Sequence, residues 1–180
     1  MLKLLPLIAI LFVQGCATAA TKPLPPHTQN FAILNLPRQQ DNTLSLIKTR
    51  RVNSLGNPIW TLTAPNGKSY DVVTGRFFTQ NRNRHQSGTE APLPPGIYSI
   101  GQTHFGPFSL SELGDHWFVD LIPQFNTGRT ELGIHLDPSF DMNNDEDGTS
   151  GCIGLTNSHD LEEIVNLIQV EGINRLIVIS

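Results

Sequence analysis

Apolar and polar positions alternate with strand period from about residue 43 onward. Leu44 and Leu46 lead into Thr49–Val52, and Ile59, Trp60 and Leu62 follow, each set among polar neighbours. Side chains two apart share one face of a strand, so this spacing predicts strands that bury one side. Pro65-Asn66-Gly67 is a hairpin turn signal, and Tyr70–Val73 resumes the strand. Residues 79–91 are polar and predict a loop. Pro92-Leu93-Pro94-Pro95-Gly96 predicts a rigid turn feeding a strand at Ile97–Ile100. Trp117–Ile122 and Leu132–Leu136 predict two more strands. A single segment, about 159–170, has helical period: Leu161, Ile164, Val165 and Ile168 share one face. Asn157 or Ser158 can cap its start, Asp160, Glu162 and Glu163 suit its dipole, and Gly172 can end it. Arg175–Ile179 is a closing strand, apolar enough to be central. The expected fold class is mainly β with one α-helix near the C-terminus.

Composition narrows this picture. A chain of 180 residues holds one domain and a tail. Its 15 glycines and 13 prolines favour strands joined by turns over long helices. A formal net charge of -4 argues against a nucleic-acid partner, which needs a basic surface. Arg50, Arg51, Arg76, Arg82 and Arg84 lie in the first half, whereas Asp137, Asp141, Asp145, Glu146 and Asp147 cluster late. The two tryptophans and nine phenylalanines are read as core.

The two cysteines have separate meanings. Lys3 followed by the apolar run Leu4–Val13 has the length of a signal-peptide core and is too short to span a bilayer. The run ends in Val13-Gln14-Gly15-Cys16, which resembles a bacterial lipoprotein box. The resemblance implies a signal peptide at 1–15, cleavage before Cys16, and a diacylglyceryl group on that thiol. Residues 16–42 then form a lipid-anchored, proline-rich linker, and 43–180 form the folded domain. Cys152 is left without a disulfide partner inside the chain, so it is either buried or used.

The segment Arg129–Leu155 carries the candidate chemistry. A strand delivers His135, a loop follows, and Thr149-Ser150-Gly151-Cys152-Ile153-Gly154 sets a cysteine among small residues. A thiol becomes a strong nucleophile only as thiolate, and imidazole is the usual nearby base. A backbone carbonyl such as that of Leu136 suffices to orient the ring. Gly151 lets backbone approach a substrate, and amides around Cys152 suit a developing oxyanion.

His135 followed about fifteen residues later by Ser/Thr-x-Gly-Cys-Ile resembles the signature of YkuD-type L,D-transpeptidase domains. Ala91-Pro92-Leu93-Pro94-Pro95-Gly96-Ile97-Tyr98 resembles that family's Pro-x-Pro-x-Gly-x-Tyr turn and strand, and Gly133-Ile134-His135 its Ile-His segment. The resemblance spans about 43–180. It implies a sandwich-like β catalytic fold, Cys152 as the acylated nucleophile, His135 as base, and Thr149, Ser150 and Gly151 along the oxyanion region. It further implies cleavage after the L-centre of a diamino acid in a peptidoglycan stem tetrapeptide, with release of D-alanine. The acyl group then passes to an amine or to water, the second outcome making an L,D-carboxypeptidase. Two positions depart from the family: Ser150 stands where a second histidine is usual, and Gly154 where Asn or Arg is usual. These departures leave room for a non-catalytic peptidoglycan-binding lipoprotein.

Arg129, six residues before His135, suits a stem-peptide carboxylate, or else an ordinary ion pair. Arg82, Arg84 and His85 are read as a solvated loop. Asp141–Gly148 resembles a calcium loop, but the twelfth position counted from Asn143 is Gly154 where Glu is needed, so the segment is read as a flexible acidic loop. Carboxylates beside Cys152 would suit the ammonium of a diamino acid. His104, His116 and His159 lack ligand spacing with Cys152, so no metal site is expected. Neither is a cofactor. The expected protein is a monomer of the bacterial cell envelope, held in the periplasm or outer membrane by its lipid.

Overall fold

The computed structural model of the chain describes residues 42–108, 113 and 115–179. The order of elements is β1 (Thr43–Val52), β2 (Pro58–Thr63), β3 (Ser69–Val73), a short 3-10 turn (Phe77–Thr79), β4 (Gly96–Phe105), β5 (Trp117–Pro123), β6 (Gly133–Leu136), β7 (Ile153–Leu155), α1 (Ser158–Glu171) and β8 (Arg175–Ile179). The fold is thus mainly β with one helix near the C-terminus. Where a sandwich-like arrangement was expected, the sheet is a closed barrel in the order β1-β2-β3-β7-β6-β5-β4-β8. Closure is made by β8, which pairs parallel with β1 and antiparallel with β4, so neither edge is left open. The apolar run Leu176–Val178 earlier read as central therefore occupies the seam.

Strand alternation builds one core. Leu44, Leu46, Leu62, Val72, Val119 and Leu176 all turn inward and are inaccessible to solvent. The helix caps itself as the sequence predicts: the Asn157 side chain accepts from the Asp160 amide, and Gly172 ends it in the left-handed conformation at φ 67. Its stripe Leu161, Ile164, Val165 and Ile168, joined by Leu167, packs into the same core. The reading of the aromatics as core holds for Trp60, which is buried, and in part for Trp117 and Phe125, which are half-buried against the core; Phe77, Phe78 and Phe105 are exposed and depart from it.

Two elements exceed the sequence reading. β4 runs on to Phe105 because β5 pairs with it through His104↔Phe118 and Phe105↔Trp117. β7 is three residues long and exists because β3 and β6 flank it on either side. Residues 1–41, with Cys16, the signal peptide and most of the linker, lie outside the described residues. Among the described residues no helix is long and apolar enough to cross a membrane.

Candidate active site

β6 and β7 run parallel, with Ile134 opposite Ile153 and His135 opposite Gly154. Ile134, Leu136, Ile153 and Leu155 fall on the inner face and fill the barrel. His135 and Gly154 therefore fall on the outer face. Cys152 lies in the bend that leads directly into β7, so the predicted nucleophile and the predicted base are carried by neighbouring strands.

His135 is 2% exposed. Its Nδ1 donates to the Leu136 carbonyl at 2.6 Å. A carbonyl can only accept, so Nδ1 holds the hydrogen and Nε2 keeps the basic lone pair. The expected orienting carbonyl is the one present. The Phe118 ring stacks on the imidazole at 5.9 Å and 17°. Burial pushes the imidazole pKa down to about 4, against a weaker opposing pull from the carbonyl. The ring is accordingly neutral at neutral pH and able to accept a proton.

Cys152 is a half-buried thiol whose Sγ donates to the Glu131 carbonyl at 3.7 Å. The turn before it is held from within. The Thr149 hydroxyl donates to the Cys152 carbonyl at 2.8 Å and accepts from the amides of Gly151 at 3.2 Å and Gly75 at 3.3 Å. Thr149 is 1% exposed. Expected to touch substrate, it instead shapes the turn, because all three hydrogen-bonding positions of its hydroxyl are used internally. The Gly151 amide is committed to Thr149 and is not an oxyanion donor here. Gly151 matters for another reason: at φ 110, a Cβ on it would collide with the Arg129 guanidinium and lie 2.7 Å from the Ala91 carbonyl. Gly154 likewise has no room for a side chain. A Cβ would sit 2.7 Å from Thr149 Cγ2 and 2.9 Å from Asp137 Cβ, which accounts for glycine at this position.

Arg129 is buried beside this turn. Nη2 donates to the Ser150 carbonyl at 2.6 Å, and Nη1 to Ala91 at 3.3 Å and Arg84 at 3.5 Å, all backbone carbonyls. The ordinary ion pair considered for it is not made among the described residues. Burial lowers its pKa, opposed by the nearby Cys152 and Tyr98. Ser150 and Arg129 join Cys152 on the wall of an open cleft of about 650 Å³, together with Glu90, Glu131 and Phe118. Those last three escaped the sequence reading. Phe118 had a signal, since Val119 and Leu121 turn inward and leave it outward; the glutamates, 41 residues apart in the chain, had none.

The acidic segment is anchored by its own carboxylates. Asp137 accepts from the Ser139 amide and hydroxyl at 3.0 and 2.8 Å and from the Gly148 amide at 2.9 Å. Asp147 accepts from Asn53 Nδ2 and the Asp141 amide, and Asp141 accepts from the Ser54 amide. With these oxygens turned to the backbone, the acidic loop is tethered to the barrel at 137, 141 and 147. The carboxylates beside Cys152 are instead Glu90 and Glu131. Among the described residues one group has metal-ligand proximity, His159, Asp160 and Glu163 on the first turn of α1, and there Glu163 already pairs with Lys68 at 2.5 Å. Arg84, read as solvated, is half-buried: it donates to the carbonyls of Pro92 and Leu93 and lies 5.3 Å over Trp60. Arg82 is exposed and lies over Phe78.

No protein-family model matches this chain, and no curated protein matches it in sequence.

Proposed function

We propose that the chain is a cysteine acyltransferase of the L,D-transpeptidase type acting on peptidoglycan stem peptides. The observation that supports this reading is the parallel β6–β7 pair, in which β6 carries a neutral, carbonyl-oriented His135 and the bend entering β7 carries Cys152, on the wall of an open cleft. In this reading Cys152 Sγ adds to the carbonyl at the L-centre of the diamino acid. The tetrahedral oxyanion collapses, the bond to D-alanine breaks, and a thioester remains. His135 Nε2 moves the proton, taking it from the thiol, giving it to the departing amine, then taking one from the acceptor. An amine acceptor makes a cross-link and water makes a free carboxylate. Nucleophile and base both come from the protein, so the scheme uses no cofactor.

Residues 1–42 complete the proposal: a signal peptide, a lipid on Cys16 and a spacer would hold the domain at a bacterial envelope membrane. Cys16→Ser would then release the protein to the soluble fraction.

The test is incubation of the domain from residue 21, and of its Cys152→Ala variant, with disaccharide-tetrapeptide muropeptides, read by mass spectrometry. D-alanine loss with dimers, absent in the variant, is the expected result. Loss without dimers identifies an L,D-carboxypeptidase. No change with folded protein sinks the catalytic reading and leaves a peptidoglycan-binding lipoprotein.

A further inference from the structure

Arg129 presents an unusual balance of charge. It is 7% exposed, and no carboxylate of the described residues lies within ion-pair distance of it. A guanidinium has five N–H donors; three hydrogen bonds go to backbone carbonyls, which offset desolvation but carry no net charge. Burying a cation without a counter-ion is expensive, so a fold that keeps one there has a use for its charge. The fold also keeps glycine at 151, in a left-handed conformation, so that the guanidinium can close on the backbone next to Cys152.

We infer that Arg129 is a positioning residue for the nucleophile: its buried guanidinium is the counter-cation of the Cys152 thiolate. The inference rests on the reading of Cys152 as nucleophile. His135 is the alternative partner, but it is enclosed by Phe118 and sheet, and its one identified polar partner is a neutral carbonyl. An imidazolium there has no anion to stabilise it except the thiolate itself. Arg129 holds its charge at any working pH. The division of labour follows: Arg129 sets the acidity of the thiol, and His135 moves protons.

Other charges face the thiol. Glu131 is exposed and Glu90 is half-buried, with its carboxylate 3.4 Å from Arg76. Both oppose thiolate formation, and both are screened by water more than the buried guanidinium is. Asp137, beyond Gly154, is spent on Ser139 and Gly148. Arg84 reaches the site through its carbonyl, which Arg129 holds.

The test is the pH profile of Cys152 alkylation by iodoacetamide, which needs no substrate and so reads independently of turnover. Wild type, Arg129→Met, Arg129→Lys and His135→Asn are compared, each first checked for native circular dichroism. The expected wild-type thiol pKa is about 7 or below, against about 8.5 for an ordinary cysteine. Arg129→Met should raise it by about one unit or more, cutting alkylation at pH 6 roughly tenfold. Arg129→Lys should fall between, and His135→Asn should stay within about half a unit of wild type. An ordinary wild-type thiol, an unmoved Arg129→Met, or a rise in His135→Asn each overturns the inference. If Arg129→Met does not fold, wild type and His135→Asn decide it. A raised KM with an unmoved thiol pKa would assign Arg129 to a substrate carboxylate and equally overturn it. Muropeptide turnover failing while the thiol behaves as described would count against the proposed reaction, not against this pairing.

Discussion

Two walls of the same barrel treat their outer faces in opposite ways. On the β1–β2–β3 wall, Ile47 and Arg51 meet solvent, and Arg51 pairs with Asp71 at an exposed site. On the β6–β7 wall, His135, Asp137 and Gly154 are buried beneath Phe118 and the Thr149–Cys152 turn. Both walls follow the same inward alternation of apolar residues, so the core does not explain the contrast. Of the buried polar residues, Arg129, His135, Asp137, Ser139, Asp147 and Thr149 belong to the second wall and the loops around it, while Asn53, Asn57, Thr74 and Thr79 lie on the loops that leave the first. Buried polar groups add little stability even when well paired, and a fold optimised for stability alone would replace them with apolar side chains. On the second wall Arg129, Ser150 and Cys152 border the cleft, and the proposed chemistry is assigned there.

The contrast is most easily broken at glycine. Gly151→Ala combines left-handed strain with a collision against Arg129, and should cost about 4 kcal/mol and cut acyl transfer at least a hundredfold, read by urea denaturation and the muropeptide assay. Gly67, also left-handed but with nothing near its missing Cβ, gives the control: Gly67→Ala should cost about 1 kcal/mol and leave turnover unchanged.

Acid sharpens the comparison next. The His135 imidazole binds a proton near pH 6.5 when unfolded and near pH 4 when folded, so between these values protons favour the unfolded chain. Its contribution is complete above about pH 6.5 and is lost as pH falls through about 4, a change of about 3 kcal/mol. Denaturation midpoints at pH 7 and pH 4 should show this loss in wild type and not in His135→Gln. A parallel loss in both would place the acid sensitivity elsewhere.

Carboxylates provide a third pair. Asp137→Ala leaves the Ser139 and Gly148 amides without their acceptor and should cost about 2–3 kcal/mol by urea denaturation. Asp71→Ala, on the exposed wall, should leave the midpoint unchanged, because screened surface pairs contribute little. Equal effects at the two sites would remove the distinction between the walls.

Much of this was legible locally. The strand alternation, the helix with its Asn157 cap and Gly172 stop, and the Leu136 carbonyl as partner for His135 all follow from spacing or from adjacent residues. Cys152 and His135 were found as residue types at a suggestive separation. Glu90 and Glu131 were not found, because a loop glutamate has the same local signal wherever the chain carries it. Thr149 was expected along the oxyanion region, since the sequence does not reveal that Gly75, from a distant turn, shares its hydroxyl. Phenylalanine was assigned inward on hydrophobicity alone, and Phe77, Phe78 and Phe105 stay exposed while Phe125 packs against the core.

The sequence by itself determined the local terms: period, caps, turns and the identities of thiol and imidazole. These depend on neighbours within a few residues, where backbone geometry leaves few choices. The tertiary structure alone decided that β8 closes the sheet, that β7 exists, that burial lowers the His135 pKa, and that Arg129 and Cys152 line one cleft. Each of those depends on groups brought together from distant parts of the chain, and burial and charge act through space, whatever the separation in sequence.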